Sequence, residues 1–205
     1  LKTLQNKLPP GAITFDSGDI HRCAADKWAP GFSLPRAVAL PHRTEEVSTI
    51  LSFAQRHRIP VTPRGAGVGY CGGAVPIKGG LVLSLERMNS ICEISEKDFV
   101  VVTQPGVITA NLQAEVEKRG LFYPPDPAGR AESSIGGNFS TNAGGPRCLK
   151  YGVTRDYVLG IEVVLPNGSV CKTGGRTHKN KTGFDLCRFF EIGRASCRER
   201  VYHPV

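Results

Sequence analysis

Two glycine-rich stretches hold the residues best suited to chemistry. The first runs from Pro63 to Gly73 and reads PRGAGVGYCGG. Such a loop presents bare backbone amides, and consecutive amides can form a concave nest for phosphate oxygens. Glycine also lets the main chain approach an anion closely and adopt positive φ. The stretch is therefore a candidate phosphate-binding loop, although for this loop taken alone a glycine-rich turn without a ligand is the favoured interpretation.

Two better-known glycine motifs do not fit this stretch. Gly67, Gly69 and Gly72 match the Gly-x-Gly-x-x-Gly spacing of a nicotinamide-dinucleotide site. That fold requires a helix that opens within the motif and crosses to the next strand. Only residues 74–80 precede the next apolar run, and they contain a proline and two glycines, which leaves no room for a helix. A Walker A loop is excluded because no Gly-Lys-Ser/Thr follows.

The second glycine-rich stretch begins about seventy residues later. It reads SSIGGN over 133–138 and TNAGG over 141–145. A serine cap followed by Gly-Gly at a helix start directs free amides toward an anion. Two loops of this kind in one chain are hard to explain as turns, so together they predict an anionic ligand.

The elements that position these loops indicate an α+β fold in two lobes. Hydrophobic periodicity predicts a helix from Thr44, as its cap, to Arg58, and another over 108–118 that Gly120 ends. Residues 1–35 are expected to be irregular because prolines interrupt them. Apolar β-rich runs predict strands over 37–40, 59–62, 81–85 and 99–103, and a hairpin over 158–165 and 169–173 across Pro-Asn-Gly.

Composition narrows the class of protein. The 205 residues are 40% hydrophobic and 21% charged, as in ordinary globular domains. The net charge of +8 suggests nucleic-acid binding as a function, but the basic residues are scattered and no zinc-finger or helix-turn-helix signature occurs. Seven dispersed cysteines without a Cys-x-x-Cys pair predict free thiols, no metal site and a reducing compartment. Without a signal peptide or a membrane-length apolar run, we expect a cytoplasmic protein with no integral membrane segment and no nucleic-acid partner.

In their order, the motifs resemble the FAD-binding domain of the vanillyl-alcohol oxidase type, also called the PCMH type. Within that family they are most similar to glycolate oxidase catalytic subunits and D-lactate dehydrogenases. Besides both loops, the resemblance rests on Tyr-Pro-Pro-Asp-Pro at 123–127 and Tyr-Gly-Val-Thr-Arg-Asp at 151–156. It implies an N-terminal extension over 1–35 and a two-lobed PCMH-type domain over 36–190, incomplete at its C-terminus.

The resemblance implies that both loops bind FAD. The first loop is expected to hold the pyrophosphate, and the second to hold its other side and approach the flavin. Asp126 and Pro127 are expected beside the cofactor, with a solvated turn as the equal alternative for Asp126. Val68 stands where relatives with covalent flavin carry histidine, which implies non-covalent FAD. The predicted cofactor-binding residues are Arg64, Gly65, Ala66, Gly67, Val68, Gly69, Gly72, Gly73, Asp126, Pro127, Ser134, Ile135, Gly136, Gly137, Asn138, Thr141, Asn142 and Gly144.

The activity that the resemblance implies is oxidation of a small 2-hydroxy acid, such as glycolate or D-lactate. The implied partners are that substrate and an electron acceptor or further oxidase subunits. A downstream cap domain is expected to supply the catalytic base and any metal, so no catalytic residue is predicted here and this chain alone should be inactive. Residues 191–205 show no strand or helix pattern and are interpreted as a non-native tail. Two alternatives stay open: another PCMH-type flavoenzyme, such as an alkylglycerone-phosphate synthase or a sugar-nucleotide reductase, or a flavin-binding fragment without turnover.

Overall fold

A computed structural model describes residues 1–27, 31–177, 179 and 183–191, together with the backbone of 198–204. Within these residues the chain forms two β-sheets, each packed with helices, which confirms the predicted α+β class and its two lobes. The elements, in chain order, are α1 (Lys2–Gln5), β1 (Ile13–Thr14), α2 (Ser17–Arg22), β2 (Ala37–Ala39), α3 (Thr44–Arg56), β3 (Val61–Arg64), β4 (Leu81–Ser84), β5 (Ile91–Ser95), β6 (Val100–Thr103), α4 (Thr109–Glu117), α5 (Ile135–Thr141), α6 (Cys148–Tyr151), a 3-10 turn (Thr154–Tyr157), β7 (Gly160–Val164), β8 (Val170–Gly174), α7 (Leu186–Phe189) and β9 (Arg198–Pro204).

The first lobe is a four-stranded sheet in the order β1-β2-β4-β3. Strands β2, β4 and β3 are parallel, and β1 adds an antiparallel edge to β2. The apolar stripe of α3 packs on this sheet, where Ile50 and Leu51 join one core cluster with Leu81 and Leu83 of β4. The helix prediction is confirmed in this region. Its cap is wrong, because Arg43 occupies the cap position and Thr44 is already helical.

The second lobe is an antiparallel sheet in the order β5-β6-β9-β7-β8. Helices α4 and α5 pack on it through Leu112 and Phe139, which share a buried cluster with Ile161 and Val163 of β7. The predicted hairpin is confirmed as β7 and β8, paired from Gly160↔Gly174 to Val164↔Val170. Strand β5 was not predicted, because its half-exposed residues lack an apolar run.

The N-terminal region is more regular than its prolines suggest. Ile13 pairs with Ala39 of the first sheet, and Asp16 caps α2 by accepting hydrogen bonds from the amides of Gly18 and Asp19 at 2.8 and 3.1 Å. The expectation of irregular structure over 1–35 is therefore wrong for β1 and the two short helices. Aspartate capping and strand pairing form local structure between the prolines, which a count of helix breakers does not reveal. The domain boundary at residue 36 stays a prediction.

The last described strand lies where the sequence predicts no strand. The backbone of β9 pairs antiparallel with β6 on one side and with β7 on the other. Both neighbours are fully buried strands, so main-chain hydrogen bonds to each of them fix β9 without an apolar side-chain pattern. Residues 192–197 and Val205 lie outside the described residues. The interpretation of 191–205 as a non-native tail stays a prediction.

Hydrogen bonds and one tight turn connect the lobes. Thr44 Oγ1 donates to Glu162 Oε1 at 3.0 Å, and Ser48 Oγ donates to the carbonyl oxygen of Gly168 at 2.5 Å. Between β6 and α4, the amide of Gly106 donates to the carbonyl oxygen of Met88 at 2.8 Å. A Cβ atom at Gly106 would collide with the carbonyl oxygen of Leu85 and lie 2.7 Å from that of Met88. The lobes can therefore meet closely here only around a glycine.

We predict that Gly106→Ala destabilises the fold, whereas Gly129→Ala does not. The first change forces backbone carbonyls apart and should lower the free energy of unfolding by about 1–3 kcal/mol or more, as overpacking does. A Cβ at Gly129 meets no atom within 4 Å, and its φ is not in the left-handed region. Urea unfolding of both variants checks this, and equal stabilities would contradict the crowding argument.

Candidate functional site

The first glycine loop begins where β3 ends, at the carboxyl edge of the parallel strands. Arg64, the last residue of β3, pairs in register with Ser84 of β4. The chain then turns through Gly67, whose φ of +72° is readily adopted only by glycine. The sheet thus places residues 65–69 at the carboxyl ends of its parallel strands, on the side that faces the second lobe.

The second loop reaches the same place through the N-terminus of α5. Ser134 is the cap residue of this helix. Its Oγ accepts hydrogen bonds from the amide of Gly137 in its own helix and from the amide of Ala66 in the first loop, both at 3.3 Å. A Cβ atom at Gly65 would collide with Ser134 Oγ. The structure therefore brings the two predicted loops into direct contact.

The Ser134 hydroxyl keeps one hydrogen for a further partner. A hydroxyl group can accept two hydrogen bonds and donate one, and both accepting positions are used by Ala66 and Gly137. Among the described residues no acceptor for its O–H is within hydrogen-bond distance. This donor stands at a half-open cavity, which suits an anionic oxygen.

That cavity lies between the lobes and has a volume of about 210 Å³. Residues from both glycine loops line one end, and backbone from the turn at Gly106 lines another side. Two of its polar side chains, Asn89 and Asn111, were not predicted, because no motif surrounds them, and Glu86 also lines it. Asn89 and Asn111 offer amide donors and acceptors, and Glu86 offers a carboxylate. The cavity can therefore take a ligand that carries hydroxyl groups or ring nitrogens next to phosphate.

Three side chains of the second stretch bind the chain itself. Asn138 is buried, and its Nδ2 donates to Thr109 Oγ1 at 2.7 Å. Thr141 Oγ1 donates to the carbonyl oxygen of Gly137 at 3.0 Å, and Asn142 Oδ1 accepts from the amide of Arg155 at 3.1 Å. These contacts shape the loop, so a cofactor role for the three side chains stays a prediction.

The Tyr-Gly-Val-Thr-Arg-Asp stretch is hydrogen-bonded to the backbone of the second glycine stretch. Thr154 is fully buried, and its Oγ1 donates to the carbonyl oxygen of Ala143 at 2.7 Å. Asp156 Oδ2 accepts from the amide of Val153 at 2.8 Å, which fixes the turn that presents Thr154. The motif therefore positions the loop.

Asp126 is not a solvated turn residue. Its carboxylate is 15% exposed and forms ion pairs with Arg130 Nη1 at 3.2 Å and with Arg147 Nε at 3.3 Å. A Cβ atom at Gly145 would collide with the carbonyl oxygen of Asp126, so the 123–127 segment lies directly against the second glycine stretch. Pro127 is buried beside it. Contact of either residue with a cofactor stays a prediction.

The remaining predicted residues lie in different surroundings. Gly73 lines a separate groove on the first lobe with Val61 and Val75, away from the Ser134 cavity. A Cβ at Gly144 would lie 3.6 Å from Val153, and Val68 is half-buried within the first loop. Ile135 and Gly136 are buried at the start of α5, and Gly72 accepts a backbone hydrogen bond from Val75 at 3.1 Å. Gly73 thus lies apart from the junction of the two loops.

Two lobes of α+β structure that meet at paired glycine loops and a shared cavity define a nucleotide-cofactor-binding domain. The chain belongs to the family described as "FAD binding domain", whose model matches residues 35–174. The predicted family and its cofactor, FAD, are confirmed by this match.

Named relatives share this region of the chain. It is 52% identical over 158 residues to the glycolate oxidase subunit GlcD of Bacillus subtilis (strain 168), covering 77% of this chain and 34% of the relative. It is 45% identical to a D-lactate dehydrogenase of Anaerostipes hadrus, covering 76% of this chain and 33% of that protein. The chain therefore spans about a third of the length of these relatives.

Solved structures show the same fold at low sequence identity. An alkyldihydroxyacetonephosphate synthase superposes with a TM-score of 0.87 at 19% identity, over 99% of this chain and 42% of the other. A p-cresol methylhydroxylase superposes with a TM-score of 0.81 at 22% identity, over 98% of this chain and 42% of the other.

Among the described residues, no group of three or more His, Cys, Asp or Glu is placed to hold a metal ion. Within the same residues, no helix has the length and apolar character to cross a membrane.

We predict that Ser134→Ala weakens FAD binding roughly tenfold or more, because a hydrogen bond to a charged group is lost at the junction. Loss of the helix cap should also lower the free energy of unfolding by about 0.5–2 kcal/mol. Ser140→Ala in the same helix is the matched control, since its Oγ donates to the carbonyl of Gly136 at 2.8 Å, within α5. Fluorescence titration with FAD checks both variants. Wild-type affinity in a folded Ser134→Ala variant would contradict the assignment.

Proposed function

We propose that this chain is the FAD-binding part of an oxidoreductase that acts on a small 2-hydroxy acid of the glycolate or D-lactate type. The observation that carries the proposal is the junction of the two glycine loops at Ser134, in a chain with a matching FAD-binding family model. The substrate class is supported by the named relatives at 52% and 45% identity, and by a D-2-hydroxyglutarate dehydrogenase of Stutzerimonas stutzeri (strain A1501) at 39%.

The residues present fit the diphosphate of FAD. Three of the five residues 65–69 are glycines, which leave the backbone amides less covered, and the Ser134 hydroxyl supplies a donor at the point where both loops meet. Glu86, Asn89 and Asn111 line the adjoining cavity and suit the hydroxyl groups and ring nitrogens of the adenosine half. When bound, FAD supplies a two-electron acceptor for hydride from the carbon that carries the hydroxyl group. The chain's own residues bind and orient it.

The charge around the second loop favours anions. Arg130 and Arg147 share the single carboxylate of Asp126, which leaves an excess of positive charge beside residues 141–147. Arg147 also lies over the ring of Phe122, 5.5 Å from its centre, which fixes its position. Such a field attracts both a diphosphate and a carboxylate substrate.

The proposal assigns no catalytic residue to this chain. A general base and a carboxylate-binding group would come from the remaining two thirds of a protein the length of the relatives. An electron acceptor or further oxidase subunits are the proposed partners, and the cytoplasm is the proposed location. A flavin-binding fragment without turnover is the second candidate, favoured by the share of its relatives that the chain covers. The likeness to alkyldihydroxyacetonephosphate synthase, at 19% identity, supports the fold alone.

The first test is the visible absorption of the purified chain with FAD, followed by acid precipitation. We expect bound flavin that is released into the acid supernatant, since Val68 provides no nucleophile for a covalent bond. A folded chain that binds no flavin would overturn the proposal, and flavin that stays with the precipitate would overturn non-covalent binding. Turnover of glycolate or D-lactate with an artificial acceptor would show that this chain contains its own catalytic base, contrary to the proposal.

Exposed cysteines provide a second test. Cys71, Cys92 and Cys148 are exposed, whereas burial raises the pKa of the Cys23 and Cys187 thiols and should keep them unreactive. Cys71 lies in the first glycine stretch, and Cys148 Sγ is 3.9 Å from the position of a Cβ at Gly144. We expect FAD to slow maleimide labelling of these two thiols, measured by peptide mass spectrometry.

Cys171 is the internal control for that experiment. It is half-buried on β8, at the opposite edge of the second sheet from the cavity-lining strand β5, so its labelling rate should be the same with and without FAD. Equal labelling of Cys71 and Cys148 in both states, with flavin shown to be bound, would place the cofactor elsewhere.

A further inference from the structure

We propose that Arg64 and the segment Arg22–Lys27 form a support that holds the first glycine loop in its phosphate-binding position. The segment falls in the part of the chain that the sequence analysis assigned to an N-terminal extension. It contacts Gly69 in the first loop, Glu86 in the wall of the cavity, and Glu132, which directly precedes the second glycine stretch. This inference rests on the proposed function.

The anchor of the support is the side chain of Arg64. Its residue is 7% exposed, and its guanidinium donates to the carbonyl oxygens of Ala25 at 2.7 Å and Arg22 at 3.1 Å. A Cβ atom at Gly67 would collide with this guanidinium, so the loop lies directly on top of it. The Arg64 side chain therefore separates the loop from the N-terminal segment and fixes the distance between them.

The segment also binds the loop through its own backbone. The amide of Lys27 donates to the carbonyl oxygen of Gly69 at 3.1 Å, at the far end of the loop. The ammonium group of Lys27 pairs with Glu132 at 2.8 Å, one residue before the second glycine stretch. One residue thus connects the segment to both loops.

A third contact reaches the cavity. Both guanidinium nitrogens of Arg22 bind the carboxylate of Glu86, at 2.6 and 2.8 Å, and Glu86 lines the cavity between the lobes. The backbone carbonyl oxygen of Arg22 also accepts a hydrogen bond from the Arg64 guanidinium. The segment therefore fixes one wall of the cavity as well as the floor of the loop.

The charge of Arg64 points to an anion above it. Buried charges are usually paired with an opposite charge, yet the guanidinium hydrogen bonds are to carbonyl oxygens, and no carboxylate of the described residues is within 4 Å of it. Burial lowers the pKa of Arg64, but a guanidinium stays protonated at ordinary pH. The carboxylates of Asp26 and Glu86 act on the guanidinium from beyond 4 Å, and a diphosphate in the loop would add negative charge above it.

The test compares ADP with adenosine, because the ratio of their affinities isolates the contribution of the diphosphate. In Arg64→Met we expect ADP affinity to fall roughly tenfold or more, with adenosine affinity unchanged and circular dichroism as in the wild type. Arg64→Lys keeps the charge and can reach one carbonyl oxygen. Its ratio of ADP affinity to adenosine affinity should therefore lie between those of Arg64→Met and the wild type. Arg56→Met, an exposed arginine on α3, is the matched control and should leave the ratio as it is.

Two outcomes would overturn the proposed role of Arg64 and the segment Arg22–Lys27. One is a folded Arg64→Met variant with the wild-type ratio, and the other is a variant that loses ADP and adenosine affinity equally, as general destabilisation would produce. Where Arg64→Met does not fold, Lys27→Pro decides, because it removes both contacts of Lys27, the amide bonded to Gly69 and the ammonium group paired with Glu132: a lowered ratio supports the proposal and an unchanged ratio overturns it. A wild-type chain that binds neither FAD nor ADP would refute the proposed function itself.

Discussion

The hydroxyl group of Ser134 is the contact on which the site depends. It accepts from Ala66 in one lobe and from Gly137 in the other, so a single atom joins two loops that are separated by almost seventy residues. Each hydrogen bond is long, at 3.3 Å, and contributes modestly by itself. Their value is geometric, because they fix where the backbone amides of both loops point. That arrangement supports the proposed diphosphate site.

The rest of the fold keeps those two loops in place. Parallel strands bring the first loop to the carboxyl edge of one sheet, and the packing of α4 and α5 on the other sheet brings Ser134 to meet it. Gly106 allows the lobes to approach closely, and Glu162 accepts a hydrogen bond across them from Thr44. Small contacts between lobes therefore determine the shape of the cavity, while the two hydrophobic cores supply the stability of each lobe.

Local patterns predicted much of this molecule, and long-range contacts explain what they missed. The stripe of α3, the buried β-runs and the hairpin follow from periodicity, and the glycine stretches predicted two loops that the structure brings into contact. The roles of Asn138 and Asp126 could not be read from sequence, because their partners Thr109 and Arg147 lie twenty or more residues away. Arg64 was expected to contribute its amide, yet its side chain binds a segment about forty residues earlier. Strand β9 depends on pairing with its neighbours, which no local pattern reports.

The most direct measurement of the central claim is backbone hydrogen exchange of the chain with and without FAD. We predict that exchange slows together in peptides covering 64–69 and 134–138, since one diphosphate would contact amides of both loops. Peptides covering β8, at the opposite edge of the second sheet from the cavity-lining strand β5, should exchange unchanged. Bound flavin that protects one loop and leaves the other at its free rate would contradict a site shared by the two lobes.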